Sequence, residues 1–264
     1  MLRLLAWDRH GYCNAFELDA ERARRNSVGL GGNVSAALRK FEHDGRPGSP
    51  PGSVLGDGNG PLIRLAPVAA CLWDRPDEAA AAARAQSRAT HPGVEAEECS
   101  ALLAVAMCAA VSRGTKEAAF DAVAAFASEA RCASVAALAR GEAERPGDAE
   151  RCWTWREESW TGAPERMARN AGYYGAYSMD ALAGALHCVH ATSNFRDAVL
   201  RAANMRGDAD SVAAVAGQLA GAIYGLDGVP AAWRARLGAW DAGRFEGLGR
   251  RLFRMRSVAA PIIA

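Results

Sequence analysis

Apolar positions in this chain recur three and four residues apart, and no stretch of any length alternates with period two. That spacing gathers apolar side chains on one face of an α-helix, so the expected class is all-α. Residues 1–11 read as the tail of an amphipathic helix. Further helices are expected over 33–43, 77–85, 94–112, 116–128, 134–143, 178–191, 195–203 and 211–224. Another starts at Pro230 and carries Trp233 and Leu237, and the arginine-rich 244–256 reads as a solvated amphipathic helix. The 94–112 segment is apolar nearly all round, as expected of a fully buried helix. Gly11, Gly45 and Gly114 follow the last periodic positions, where glycine can take the left-handed closing conformation. Residues 12–32 read as irregular, with Glu17 to Arg25 a solvated loop or short helix, and 46–60 as a loop rich in Gly, Pro and Ser.

Composition narrows the class. With 264 residues and 50% hydrophobic content, one domain can bury a large core. A net charge of +1 gives no electrostatic case for nucleic acid or an anionic membrane. The seven cysteines are odd in number and contain no CxxC pair, which points to reduced thiols and a cytoplasmic protein. No apolar run is long enough to span a bilayer.

Candidate chemistry gathers at Arg206-Gly207-Asp208-Ala209-Asp210-Ser211. Asp and Ser at a helix start can accept bonds from orphan backbone N–H groups. A single cap needs one side chain, however, and three oxygen-bearing side chains fall here within four positions. Such crowding also suits a hard divalent cation. Both readings stand on spacing alone. Gly217, Gly221 and Gly225 then recur every four residues, which suggests a buried central helix closely approached by another backbone. The turn Gly56-Asp57-Gly58-Asn59-Gly60-Pro61 could let backbone N–H groups approach a diphosphate, or be an ordinary glycine turn. His91-Pro92 marks a helix boundary that leaves the histidine ring free to face a pocket. His187 and His190, three residues apart on one expected helix, read as structural, and Trp153, Trp155 and Trp160 as packing residues.

Taken together these stretches carry a resemblance. Gly58 to Pro67 is similar to a GNGxxMRxAP loop and Ser87 to His91 to an S-x-x-T-H segment. Tyr177 to Leu186 is similar to an SGYxxDxLxxAL helix. Asn204 to Gly225, with Pro230 and Trp233, is similar to N-x-G-G-D-x-D-[TS]-x-x-A-x-A-G-x-x-x-G-A-x-x-G and its downstream P-x-x-W. The chain thus resembles the ADP-ribosylglycohydrolase family, which includes dinitrogenase-reductase-activating glycohydrolases, protein ADP-ribosylhydrolases and J1-type crystallins. The resemblance implies a multi-helix fold with a binuclear Mg²⁺ or Mn²⁺ centre, and it favours the metal reading of the acidic pair over the cap. It implies a substrate that carries ADP-ribose on a protein side chain or small molecule, cleaved at C1 of the distal ribose. By position, Asp208, Asp210 and Ser211 would be metal ligands, Gly58, Asn59 and Gly60 would line the ligand, and His91 would contact it peripherally.

Departures accompany the match. No [ST]-D-D run occurs in the chain, although the family's remaining metal ligands include one near its N-terminus, so residues 1–264 are expected to form one domain that is N-terminally incomplete. Arg206 replaces the first glycine of GGD, and Pro61 a small residue in the glycine loop. Two readings follow from the resemblance: a hydrolase impaired by half a metal site, with its catalytic group unassigned, or an inactive ADP-ribose-binding or structural domain.

Overall fold

A computed structural model describes residues 1–11, 30–48, 56–169 and 171–255. Residues 12–29 of the loop expected over 12–32, and 49–55 of the glycine-rich loop, lie outside the described residues. Helices α1 (Leu2–His10) and α2 (Gly32–Asp44) precede α3 (Gly60–Ile63), α4 (Ala66–Leu72), α5 (Pro76–Arg88) and α6 (Val94–Arg113). Next come α7 (Lys116–Phe126), α8 (Ala133–Arg140) and α9 (Pro164–Arg169). The order closes with α10 (Ser178–His190), α11 (Phe195–Ala203), α12 (Ala209–Tyr224), α13 (Ala231–Asp241) and α14 (Arg244–Arg254). Extended pairing among the described residues is limited to the isolated bridges Gly58–Tyr177 and Ala143–Cys152. The all-α expectation holds.

Local chemistry sets the helix ends. Gly11, Gly45, Gly114 and Gly141 close their helices with φ near 70°, a conformation that costs residues with a Cβ about 1–2 kcal/mol. Thr115 and Asn194 cap α7 and α11 by accepting from the backbone N–H groups of Ala118 and Asp197. Some limits differ from expectation. The 77–85 helix runs over Pro76–Arg88, and the proline presets its first turn. The 116–128 and 134–143 helices stop at Phe126 and Arg140. Ser178 is the first residue of α10, behind Tyr177, whose side chain makes no cap bond.

The core centres on α6, which touches α3, α4, α5, α7, α8, α10 and α12. Most of its face is buried from Ala96 to Ala110, including Glu98. That carboxylate is tolerable because Arg84 meets it at 2.6 and 3.0 Å and the Arg131 backbone N–H at 3.1 Å. Trp153 and Trp155 are fully buried, with the Trp155 indole N–H donating to the Leu138 carbonyl at 2.6 Å, so they pack the core as expected. Helix α12 buries Val212, Val215, Ala216, Leu219 and Ala220 against α6, α10 and α11. Its glycine edge departs from expectation. A Cβ at Gly217 or Gly221 would lie 3.7 Å from Val199 Cγ2 or 3.9 Å from Phe195 Cε2, ordinary contacts with α11 side chains rather than with a backbone. Helix α14 rests on α4, with Phe253 stacked on Trp73 at 5.1 Å.

Candidate functional site

Three segments far apart in sequence converge at the start of α12. Gly58 pairs with Tyr177, and the Asn59 backbone N–H donates to the Ala176 carbonyl at 2.9 Å. The Asn59 side-chain amide donates to the Gly175 carbonyl at 2.8 Å and to Asp208 Oδ2 at 2.6 Å. One amide therefore ties the glycine loop, the 174–177 turn and the acidic motif together. Helix α12 supports the same loop from its middle, where Gln218 donates to the Leu62 carbonyl at 3.0 Å.

Asp208 stands at the N-cap position of α12 but makes no side-chain cap bond. Its carboxylate turns to Asn59 instead, while its backbone N–H donates to the Tyr174 carbonyl at 2.8 Å. The positive end of the helix dipole favours a carboxylate at this point. Asp210 is exposed and Ser211 half-buried in the first turn. Gly207 explains the backbone path: φ is 61°, and a Cβ there would overlap the Tyr174 carbonyl. Arg206, just before it, also holds a left-handed φ of 66°.

His91 is nearly buried, at 4% exposure, beneath the glycine loop rather than beside an open pocket. A Cβ on Gly60 would come within 2.7 Å of its Cε1, which is why the loop needs glycine there. The ring nitrogen Nδ1 is 2.8 Å from the Thr90 hydroxyl, which also accepts from Arg64 at 2.8 Å. Arg64 further donates to the Gln86 side chain at 2.8 Å, and Gln86 returns a bond to the Pro61 carbonyl. Burial, aided by the Arg64 charge, pushes the His91 pKa down to about 4, so the ring is neutral at pH 7.

Asp57, inside the glycine turn, faces the start of α6. It accepts from the Ala96 backbone N–H at 2.9 Å, serving the N-terminus of α6 where Gly93 has no side chain to do so. Its own carbonyl accepts from the Ser178 backbone N–H at 2.9 Å, which locks the start of α10 to the glycine loop. Burial raises its pKa. Beside it, Glu95 accepts from the Tyr177 hydroxyl and from Arg151, which also bonds Glu144 at 2.7 Å. Arg166 clamps the buried Asp180 at 2.7 and 3.0 Å and lies 4.4 Å over the Tyr177 ring. No local signal marks these pairs, because each joins residues from separate segments of the chain.

The motif's donors are all hard oxygens, two carboxylates and a hydroxyl, which suits Mg²⁺ or Mn²⁺ with water completing the shell. Among the described residues no three His, Cys, Asp or Glu side chains come together as a metal set. By donor chemistry the motif suits part of one hard cation's shell. The cavities described elsewhere are lined by neither Asp208, Asp210 nor Ser211. His187 lies elsewhere, with its Nδ1 2.9 Å from the Trp155 carbonyl.

Comparison with known proteins adds an independent line. The sequence model of the ADP-ribosylglycohydrolase family matches residues 1–261. The chain is 33% identical over 204 residues to ADP-ribosylarginine hydrolase Tri1 of Pseudomonas putida (strain GB-1), covering 74% of this chain and 46% of that protein. It is 39% identical over 66 residues to ADP-ribosyl-[dinitrogen reductase] glycohydrolase of Rhodospirillum rubrum, covering 25% and 22%. The match to the Tri1 protein of Serratia proteamaculans (strain 568) is 46% over 79 residues, covering 30% and 21%. The chain spans less than half the length of each of these curated relatives. A solved chain described as an ADP-ribosylglycohydrolase-related protein complex superposes with a TM-score of 0.65 at 29% identity, covering 86% of this chain and 69% of that one.

Proposed function

This chain belongs to the ADP-ribosylglycohydrolase family, and from that premise we propose that its glycine loop and α12 N-terminus bind the ADP-ribosyl group of a modified protein side chain or small molecule. The activity is hydrolysis at C1 of the distal ribose, slow because the acidic motif supplies only part of a cation's shell. The single observation that carries the reading is the Asp208 carboxylate, which is withheld from capping its own helix and held 2.6 Å from the Asn59 amide. A capping aspartate would bend back to the backbone; this one is oriented across the gap between two segments.

Each residue has a task in the proposal. Asn59 fixes the carboxylate's direction and anchors the loop to Gly175. Gly58 and Gly60 keep the loop free of side chains, and His91 supports it from below as a neutral ring. Asp208, Asp210 and Ser211 would hold a divalent cation. When bound, Mg²⁺ or Mn²⁺ would orient ribose hydroxyls and lower the pKa of a water. The linkage we favour is to arginine, the one named for the Tri1 relatives. The chain acts in the cytoplasm and as one domain in this reading, in keeping with six free thiols among the described residues and, among those residues, no helix long and apolar enough to cross a membrane.

The test is release of ADP-ribose from ADP-ribosylated arginine, followed by chromatography with Mg²⁺, with Mn²⁺ and with a chelator. Slow, cation-dependent release that Asp208→Ala abolishes is expected. A rate unaffected by chelator or by Asp208→Ala would contradict the assignment, and fast turnover would contradict the impairment.

A further inference from the structure

Away from the glycine loop, a cavity of about 590 Å³ is lined by Trp160, Met167, His187, Arg201, Met205 and Arg206, with Thr161, Leu200 and Asn204 completing it. Its size lies within the range of small-molecule sites, which run roughly 300–1,000 Å³. The apolar part is the Trp160 indole, two thioethers and Leu200, and the polar part is two guanidiniums, an amide and a hydroxyl.

The two arginines set the chemistry. Most arginines described in this fold meet a carboxylate, as Arg84, Arg151 and Arg166 do. Arg201 instead donates to His187 Nε2 at 2.9 Å. That ring is neutral: its Nδ1–H donates to the Trp155 carbonyl at 2.9 Å, leaving Nε2 as an acceptor. The contact orients the Arg201 guanidinium without cancelling its charge. Arg206 has no carboxylate within ion-pair distance among the described residues, although Asp208 and Asp210 are its neighbours in sequence. Its backbone is left-handed at φ 66°, shared among described non-glycine residues with Ala242 alone. A residue with a Cβ gives up about 1–2 kcal/mol there, and such outliers cluster at functional sites.

We infer that this cavity is a binding site for a small oxyanion with a flat apolar body, a phosphate ester or a carboxylate, gripped by Arg201 and Arg206 over the Trp160 and methionine surface. Guanidinium forks match both headgroups bidentately. The site is separate from the ADP-ribosyl reading and stands without it. It also reaches that region through the chain, since Arg206 is two residues from Asp208. A ligand holding Arg206 would hold the backbone that aims the Asp208 carboxylate at Asn59.

Calorimetric titration with phenyl phosphate and with benzoate tests this, the two arms distinguishing phosphate from carboxylate. Binding of either by the wild-type chain is expected. Arg201→Gln and Arg206→Gln should each weaken it about tenfold, the value of one charge-assisted hydrogen bond. Asp121→Asn, exposed on α7 and outside the cavity lining, should leave it unchanged. Both arginines are exposed, so the variants should fold, which a thermal melt checks. No binding of either probe, equal affinity in the arginine variants, or loss of binding in Asp121→Asn would overturn the inference.

Discussion

Asn59 is the residue on which the site's geometry turns, because a single amide serves two acceptors, the Gly175 carbonyl and Asp208 Oδ2. Asn59→Asp replaces the donor with a third acceptor facing both. It should destabilise the fold by about 2–3 kcal/mol, against about 1 kcal/mol for Asn59→Ala, which repels nothing. Urea unfolding of the two variants compares them, and equal losses would show that the amide does no orienting. Gly207→Ala should cost at least about 2 kcal/mol, since it adds both a left-handed penalty and an overlap with the Tyr174 carbonyl. His91 gives a pH prediction. Its folded pKa of about 4 lies below the ordinary 6.5 of the unfolded chain. The stability from keeping the ring neutral is therefore complete above pH 6.5 and is lost as pH falls to about 4, on the order of 3 kcal/mol in all. Urea unfolding at pH 7, 5.5 and 4.5 should show this loss in the wild-type chain and a flatter profile in His91→Gln; parallel profiles would contradict it.

At the scale of elements, the sequence announces what is periodic and what is punctuated. Helices α2, α6 and α11 fall within a residue of their expected limits because an apolar stripe ends at a left-handed glycine or begins at a capping side chain. Helices α3, α4 and α9 went unseen, being too short for a period to register. The proline at the start of each was their available signal. The glycine steps of α12 were legible as a pattern but misread in cause. They face Phe195 and Val199 of α11 across ordinary contact distances and not a second backbone. Gly217→Ala and Gly221→Ala should therefore each stabilise the protein, by up to about 1 kcal/mol, because helix propensity improves and nothing is displaced. A chemical-denaturation midpoint that falls in either variant would restore the close-approach reading. Tyr177, Glu95 and Arg151 show the other limit, since their cluster exists only once α6 and α10 are side by side.

For the whole molecule, the four sequence blocks that suggested the family are brought together as the resemblance required. The glycine loop rests on His91, pairs with Tyr177 and bonds Asp208. What the blocks could not convey was division of labour: His91 and Asp57 hold backbone in place, while Asp208 remains turned toward Asn59. The central claim is that this arrangement binds an ADP-ribosyl group with a divalent cation. Its most direct test is calorimetric titration of ADP-ribose into the wild-type chain and into Asp208→Ala, each with Mg²⁺ and with a chelator. The account predicts weak binding that Mg²⁺ strengthens in the wild-type chain and a loss of that strengthening in the variant. Binding of equal strength under all four conditions, or none in the wild-type chain with Mg²⁺, would contradict it.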